Sequence, residues 1–251
     1  MCDFFSLLSN GYGKIYYFNH KIRKQILSSK LNYELDSHAS IAYFFKLDED
    51  KMNKWEYNPL FKKLIIDQIN ANIYPGIRTY NATKEYTDYN EVFGKCISLD
   101  FKTIVPELII KPIIHPFNDI QNGTVLPKDI ELLKKWRSVG RSVRRSVWDS
   151  VRHSVGGSVG NSVWDSVWDL AGYSVWDSVW DSVRDSVWDS VRAYISSFFS
   201  IPKWKYIDHE PGINPFQSCI DLWKNGLVPS FDGKKWRLHG TQGKILWEGI
   251  L

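Results

Sequence analysis

From Ser138 to Ala193 the chain repeats a four-residue unit without a slip of register. Its 56 residues form 14 units, opening SVGR, SVRR, SVWD, and only Leu170-Ala171-Gly172-Tyr173 lacks both the serine and the valine. No other feature restricts the fold as much. On an α-helix at about 100° per residue each unit advances about 400°, so the valines drift about 40° per unit and wind around the rod. On a strand, serine and tryptophan share one side and valine and aspartate the other, so that burying valine buries aspartate. A three-sided β-solenoid meets the same conflict, and a partly disordered tract is the remaining alternative.

The flanks favour helix. Before the repeat, Pro127-Lys128-Asp129-Ile130-Glu131 supplies a proline and acids for a first turn, and Ile130, Leu133 and Trp136 step by three. After it, Val187, Val191, Ile195 and Phe198 continue at helical spacing until Pro202. Within it, Gly156-Gly157-Ser158-Val159-Gly160 costs about 1 kcal/mol per glycine relative to alanine and predicts a break. Charge divides at the same place. Residues 138–161 hold Arg141, Arg144, Arg145 and Arg152 against Asp149, and residues 162–193 hold Arg184 and Arg192 against six aspartates. Net charges of +3 and −4 are complementary, so the expected arrangement is an antiparallel helical hairpin, or its swapped equivalent in a homodimer.

The substitutions inside the units have a genetic pattern. The third letter is Trp six times, Arg four times and Gly four times. These residues share codons of the form NGG, and most fourth letters are one base from an Asp codon. A tandem expansion of the coding unit, decorated by point mutation, accounts for both. Chemistry at single positions therefore did not place most of the tryptophans.

With 251 residues, 43% hydrophobic and 15% aromatic, the chain can bury a substantial core in one large domain or two small ones. Its 32 basic and 28 acidic residues leave +4, which neither marks nor excludes a nucleic-acid binder, so local clusters decide. Cys2, Cys96 and Cys219 are far apart and form no CxxC pair, which argues against a disulfide framework or structural zinc and for a reducing compartment. The N-terminus has no signal-peptide pattern and no run reaches about 18 apolar residues, so a soluble, cytoplasmic protein without a membrane partner is expected.

Residues 1–125 read as mixed α+β. The apolar runs CDFFSLL and KIYYF flank the turn signal SNGYG and make a hairpin. Asn19 caps a helix through Lys30 with Ile22, Ile26 and Leu27 inward, and Asp36 or Ser37 caps a second with His38 exposed in its first turn. Lys54 to Tyr57 and Lys62 to Asp67 form another hairpin, while the three prolines of residues 103–117 mark an edge strand or extended linker. Past the repeat, Asn214-Pro215-Phe216-Gln217 starts a helix that Gly226 ends, Asp232-Gly233 turns a hairpin, and GKILWEGIL adds a third strand. The fold class is α+β: residues 1–125 form an α+β domain, 126–200 a helical repeat segment, and 201–251 a helix-and-hairpin region that packs on the N-terminal domain.

Taken together, CDFFSLLSNGYGKIYYF, DSHASIA, LDFKTIVPELIIKPIIHPF, the SVWD units and DLWKNGLVPSFDGKKWRLHG resemble a family of bacterial and phage proteins with variable numbers of SVxD-type tetrapeptides. The resemblance spans nearly the whole chain. It implies variation in repeat number, but no activity and no site residues, because the family has none assigned.

Candidate chemistry is sparse. Removal of Met1 would give Cys2 a free α-amine, the nucleophile-and-base pairing of N-terminal-nucleophile amidases, although the arginine and Asn-Asp signatures of such enzymes are not evident. Asp36, Ser37 and His38 contain triad letters, yet adjacent side chains diverge. The histidines show no HxH or HExxH spacing, so neither metal ligands nor a cofactor are expected. Lys134, Lys135, Arg137, Arg141, Arg144 and Arg145 run without an intervening acid, and Trp136 and Trp148 offer stacking surfaces for a single strand. A solvated surface, or a partner for the aspartate half of the repeat, is the simpler reading of that run. The sequence thus points to a non-enzymatic structural or interaction protein, with the length-variable repeat as a spacer or as the contact of a homo-oligomer. The alternatives are an N-terminal-cysteine amidohydrolase and a nucleic-acid-binding protein.

Overall fold

The computed structural model describes residues 5–28, 33–70, 82–121, 124–179 and 183–251, so Cys2 lies outside the described residues. The chain divides into two compact units, Met1–Ile110 with His153–Ser162, and Lys111–Arg152 with Val163–Leu251. Each combines helices with an antiparallel sheet, as the α+β expectation requires. Among the described residues no helix is long and apolar enough to cross a membrane.

The first unit is built on a sheet of order β2-β1-β3-β4, comprising β1 (Phe5–Ser9), β2 (Ile15–Tyr16), β3 (Asn53–Asn58) and β4 (Lys63–Gln68). Both expected hairpins form, with Leu8 paired to Tyr16 and Tyr57 to Leu64. Helix α1 (His20–Ser28) is capped by Asn19, whose Oδ1 accepts from the amide of Ile22 at 3.1 Å. Helix α2 (His38–Phe45) is capped by Ser37, which accepts from the Ser40 amide, and α3 (Ala82–Ser98) and α4 (Phe101–Ile104) complete the helices before residue 110. Leu8, Phe18, Ile26, Ile41 and Met52 make the core between these elements.

Two side-chain directions differ from expectation. Leu27 is exposed, and Arg23 is buried on the inner face of α1 instead, because it forms a bidentate pair with Asp36 at 2.6 and 2.9 Å and donates to the Val155 carbonyl at 3.0 Å. These three charge-assisted bonds offset the cost of taking the guanidinium out of water. His38 is buried rather than exposed, because its Nε2 donates to the carbonyl oxygen of Trp55 at 3.0 Å.

The second unit carries α5 (Pro127–Val139), most of the repeat, α10 (Gln217–Lys224), and a sheet of order β5-β6-β7 from Val228–Phe231, Trp236–His239 and Ile245–Gly249. Asp129 closes the first turn of α5 by accepting from the Leu126 amide at 2.9 Å. Helix α10 packs on α5 and β5.

The repeat is helical in pieces: α6 (Val143–Val155), α7 (Gly157–Val167), α8 (Tyr173–Ser178) and α9 (Arg184–Ser196). A 3-10 turn at Gly140–Ser142 precedes α6, Gly156 breaks the helix at φ +91°, and Val179 is extended. All twelve repeat valines from Val143 to Val191 are at most 6% exposed. An unbroken rod would have turned some of them to solvent. The breaks limit the drift within α6 to three steps, about 120°. Between α7 and α8 a π-turn, Trp168–Gly172, advances only about 80° per residue and winds the stripe back.

That π-turn includes most of the aberrant unit Leu170-Ala171-Gly172-Tyr173. A Cβ on Gly172 would stand 2.6 Å from Trp168 Cε3 and 3.2 Å from Val191 Cγ1. The unit that breaks the pattern is therefore one that α9 approaches closely, through Val191. Helix α9 packs on α8 and on the π-turn.

Candidate functional site

A cleft of about 530 Å³ opens in the second unit. One wall comes from Lys134, Arg137 and Ser138 of α5 with Gly140 and Arg141 of the 3-10 turn. The steps from 134 to 137 to 141 are three and four residues, which places the three cations on one helical face. Ser186 and Asp189 of α9 form the floor, and Phe231, Lys234 and Trp236 of the β5–β6 hairpin face them with Ile250 and Leu251.

The hairpin geometry follows from its turn. Gly233 adopts φ +95°, and Asp232 Oδ1 accepts from the amides of Lys234 and Lys235 at 2.9 and 2.8 Å. These amides, Lys235 foremost, hold the Asp232 carboxyl below its ordinary range. Phe231 and Trp236 are cross-strand partners and stack with centroids 4.9 Å apart. Lys235 and Arg237 are each engaged by Glu248 at 2.6 Å, and Arg237 also by Asp232. The side chains of the cleft wall include four cations and one carboxylate, Asp189, which pairs with Arg192 at 2.8 Å, and Arg137 donates to the main-chain oxygen of Leu251.

The basic run predicted from sequence is thus divided. Lys134, Arg137 and Arg141 line the cleft, whereas Lys135, Arg144 and Arg145 are exposed and do not. Arg145 lies over the Tyr206 ring at 4.4 Å, and the Tyr206 hydroxyl donates to Asp149 at 2.7 Å. Trp136 borders the cleft but is a core residue, 2% exposed and edge-on to Phe216. Trp148 is 49% exposed but lies outside the cleft, whose aromatic faces come from Phe231 and Trp236. Their only sequence signal was the aromatic residues flanking the Asp232-Gly233 turn and its two lysines.

Several further groups with shifted acidity are buried. The carbonyl of Gly243 can only accept, so His239 Nδ1 carries the proton, 2.9 Å away, and Nε2 accepts from the Ser230 hydroxyl at 2.7 Å. This is the bonding of a serine–histidine dyad, but Ser230 is fully buried and His239 is 3% exposed, so no substrate reaches it. His115 has the opposite tautomer: Nδ1 accepts from the amides of Phe117 and Asn118, both at 3.2 Å, and Nε2 donates to Ser174. Burial lowers the pKa of both histidines. Burial also lowers Lys111 to about 8; its ammonium donates to Ser197 and lies 4.5 Å from the Phe198 ring centre. The Cys96 thiol is pushed up to about 12 by burial and that of Cys219 higher still, so neither is a nucleophile at neutral pH. Comparison with protein-family models, curated proteins and solved structures gives no match to this chain, and the cleft is interpreted from its own chemistry.

Proposed function

We propose that the protein is a non-enzymatic binding protein whose basic cleft takes single-stranded nucleic acid, with the tetrapeptide repeat as the framework of that cleft. The observation that carries this reading is the meeting of Lys134, Arg137, Arg141 and Lys234 with the stacked Phe231–Trp236 pair in one cleft. Cations along one wall suit phosphates, and an aromatic face suits an unpaired base of any identity. The volume falls within the range of about 300–1,000 Å³ usual for small-ligand sites, enough for a nucleotide or two of a flexible strand. The repeat supplies Ser138, Gly140, Arg141, Ser186 and Asp189 to the lining and its valines to the interior, which favours a framework over a free spacer.

Fluorescence anisotropy with a labelled oligothymidylate tests this. Three to four phosphate contacts predict affinity about 20- to 50-fold weaker at about 200 mM salt than at about 50 mM. Arg141→Ala should flatten that salt slope, and Trp236→Ala should cost about 1–3 kcal/mol of binding. Absence of binding at the lower salt would overturn the reading.

A further inference from the structure

Three side chains from three elements converge in the first unit. His38 opens α2, Glu56 lies in β3 and Asp67 in β4, and one ligand atom of each stands within 4.8 Å of the other two. His38 Nδ1 is 3.4 Å from Asp67 Oδ2. An ion bound about 2.0–2.2 Å from nitrogen and oxygen donors separates them by about 3–4 Å, so small side-chain rotations complete the set.

The surroundings of these groups favour a cation. Trp55 offers His38 a carbonyl, which can only accept; Nε2 therefore donates there, and Nδ1 is the ring atom that faces the carboxylate and an ion. Metal-bound histidines are commonly oriented by such a bond from their other nitrogen. Glu56 is 7% exposed, and a ligand oxygen of its carboxylate lies within 4.8 Å of one from Asp67, so the two carboxylates can share one ion. The strand is also irregular here. Trp55 pairs with Ile66 and Lys54 with Gln68, which leaves Asp67 as the extra residue of a β-bulge, a device that re-aims a side chain off the regular pleat.

We infer that His38, Glu56 and Asp67 bind one first-row divalent metal ion of the zinc class. One imidazole with two carboxylates suits such an ion better than magnesium or calcium, which take oxygen donors throughout. Three protein ligands leave a coordination position for water, and the Asp67 side chain, 48% exposed, opens the site to solvent.

The test uses the full chain, stripped with chelator and dialysed, then titrated calorimetrically with Zn²⁺ and spectroscopically with Co²⁺. One ion per chain and visible Co²⁺ bands of nitrogen and oxygen ligation are expected. Asp67→Asn alters a partly exposed side chain and should preserve the fold by circular dichroism while weakening binding at least about tenfold. Glu56→Gln should do the same; if it unfolds, Asp67→Asn alone decides. Unchanged affinity in a folded Asp67→Asn variant, a thiolate-to-cobalt charge-transfer band, or no uptake by the folded parent would each overturn the assignment.

Discussion

Ser190 donates its hydroxyl proton to the carbonyl oxygen of Pro229 across 2.8 Å, and one turn earlier Ser186 accepts from the amide of Phe231 at the same distance. Four residues of helix rise about 6.0 Å, and two residues of strand about 6.6 Å. The repeat period therefore matches the hydrogen-bonding period of a strand edge. β5 is an edge strand of its sheet, and the repeat serines occupy the place a further strand would take. Ser190→Ala is expected to cost about 1–2 kcal/mol in urea unfolding, because the buried Pro229 carbonyl loses this donor. Ser138→Ala, at an exposed repeat serine, should stay within about 0.5 kcal/mol.

Glycines of the repeat should separate into two classes. Gly172→Ala drives a methyl group into Trp168 and Val191 and should destabilise by about 1–3 kcal/mol. Gly157→Ala meets no atom within 4 Å at the start of α7 and should be neutral or stabilising by up to about 1 kcal/mol. Thermal melts of the two variants measure the contrast.

Trp168 and Trp188 stack with centroids 4.0 Å apart and planes 16° from parallel, and the Arg192 guanidinium lies 5.2 Å over Trp188. A double-mutant cycle with alanine at both positions should give a coupling of about 0.5–1.5 kcal/mol. Arg192→Ala should lower the stability of the parent more than that of the Trp188→Ala variant.

Acid should weaken the second unit through His239. Its folded pKa is depressed, mainly by burial, so below about 6.5 the unfolded chain takes up a proton that the folded chain resists. The stability contributed by the neutral ring is complete above the unfolded pKa and is lost as pH falls through the folded one. His115 acts in the same direction. Urea midpoints between pH 8 and pH 5 should fall with acidity, and His239→Gln should make the fall shallower.

Removal of Ser174 to Asp185, three whole units, should abolish cooperative unfolding of the second unit. It deletes Val175, Val179 and Val183, which are 0, 2 and 4% exposed, and the His115–Ser174 bond. Each buried valine contributes about 1.5–3 kcal/mol, against a total stability of about 5–15 kcal/mol for a domain. A deletion variant that melts like the parent would restore the view of the repeat as a dispensable spacer.

Local structure was largely readable from the sequence. Asn19 and Ser37 cap the helices expected of them, Pro127 and Asp129 lie in the first turn of α5, Asp232-Gly233 turns its hairpin, and Gly156 interrupts the repeat. Each of these depends on hydrogen bonds or φ values set within about four residues, which a sequence states directly. The run of six bases was readable too, but not that Lys134, Arg137 and Arg141 would line one cleft.

Tertiary structure alone decided which side chains turn inward and which distant residues meet. Arg23 displaced Leu27 because Asp36 and the Val155 carbonyl were there to receive it. His38 faced inward because β3 offered a carbonyl, and half of the basic run became a cleft because the β5–β6 hairpin brought Phe231, Lys234 and Trp236 across from it. A four-residue repeat drifts about 40° per unit, so its own periodicity leaves burial undetermined. Beyond the break at Gly156, the π-turn Trp168–Gly172 and the extended Val179 set its phase, and Gly172 there packs against the distant Val191.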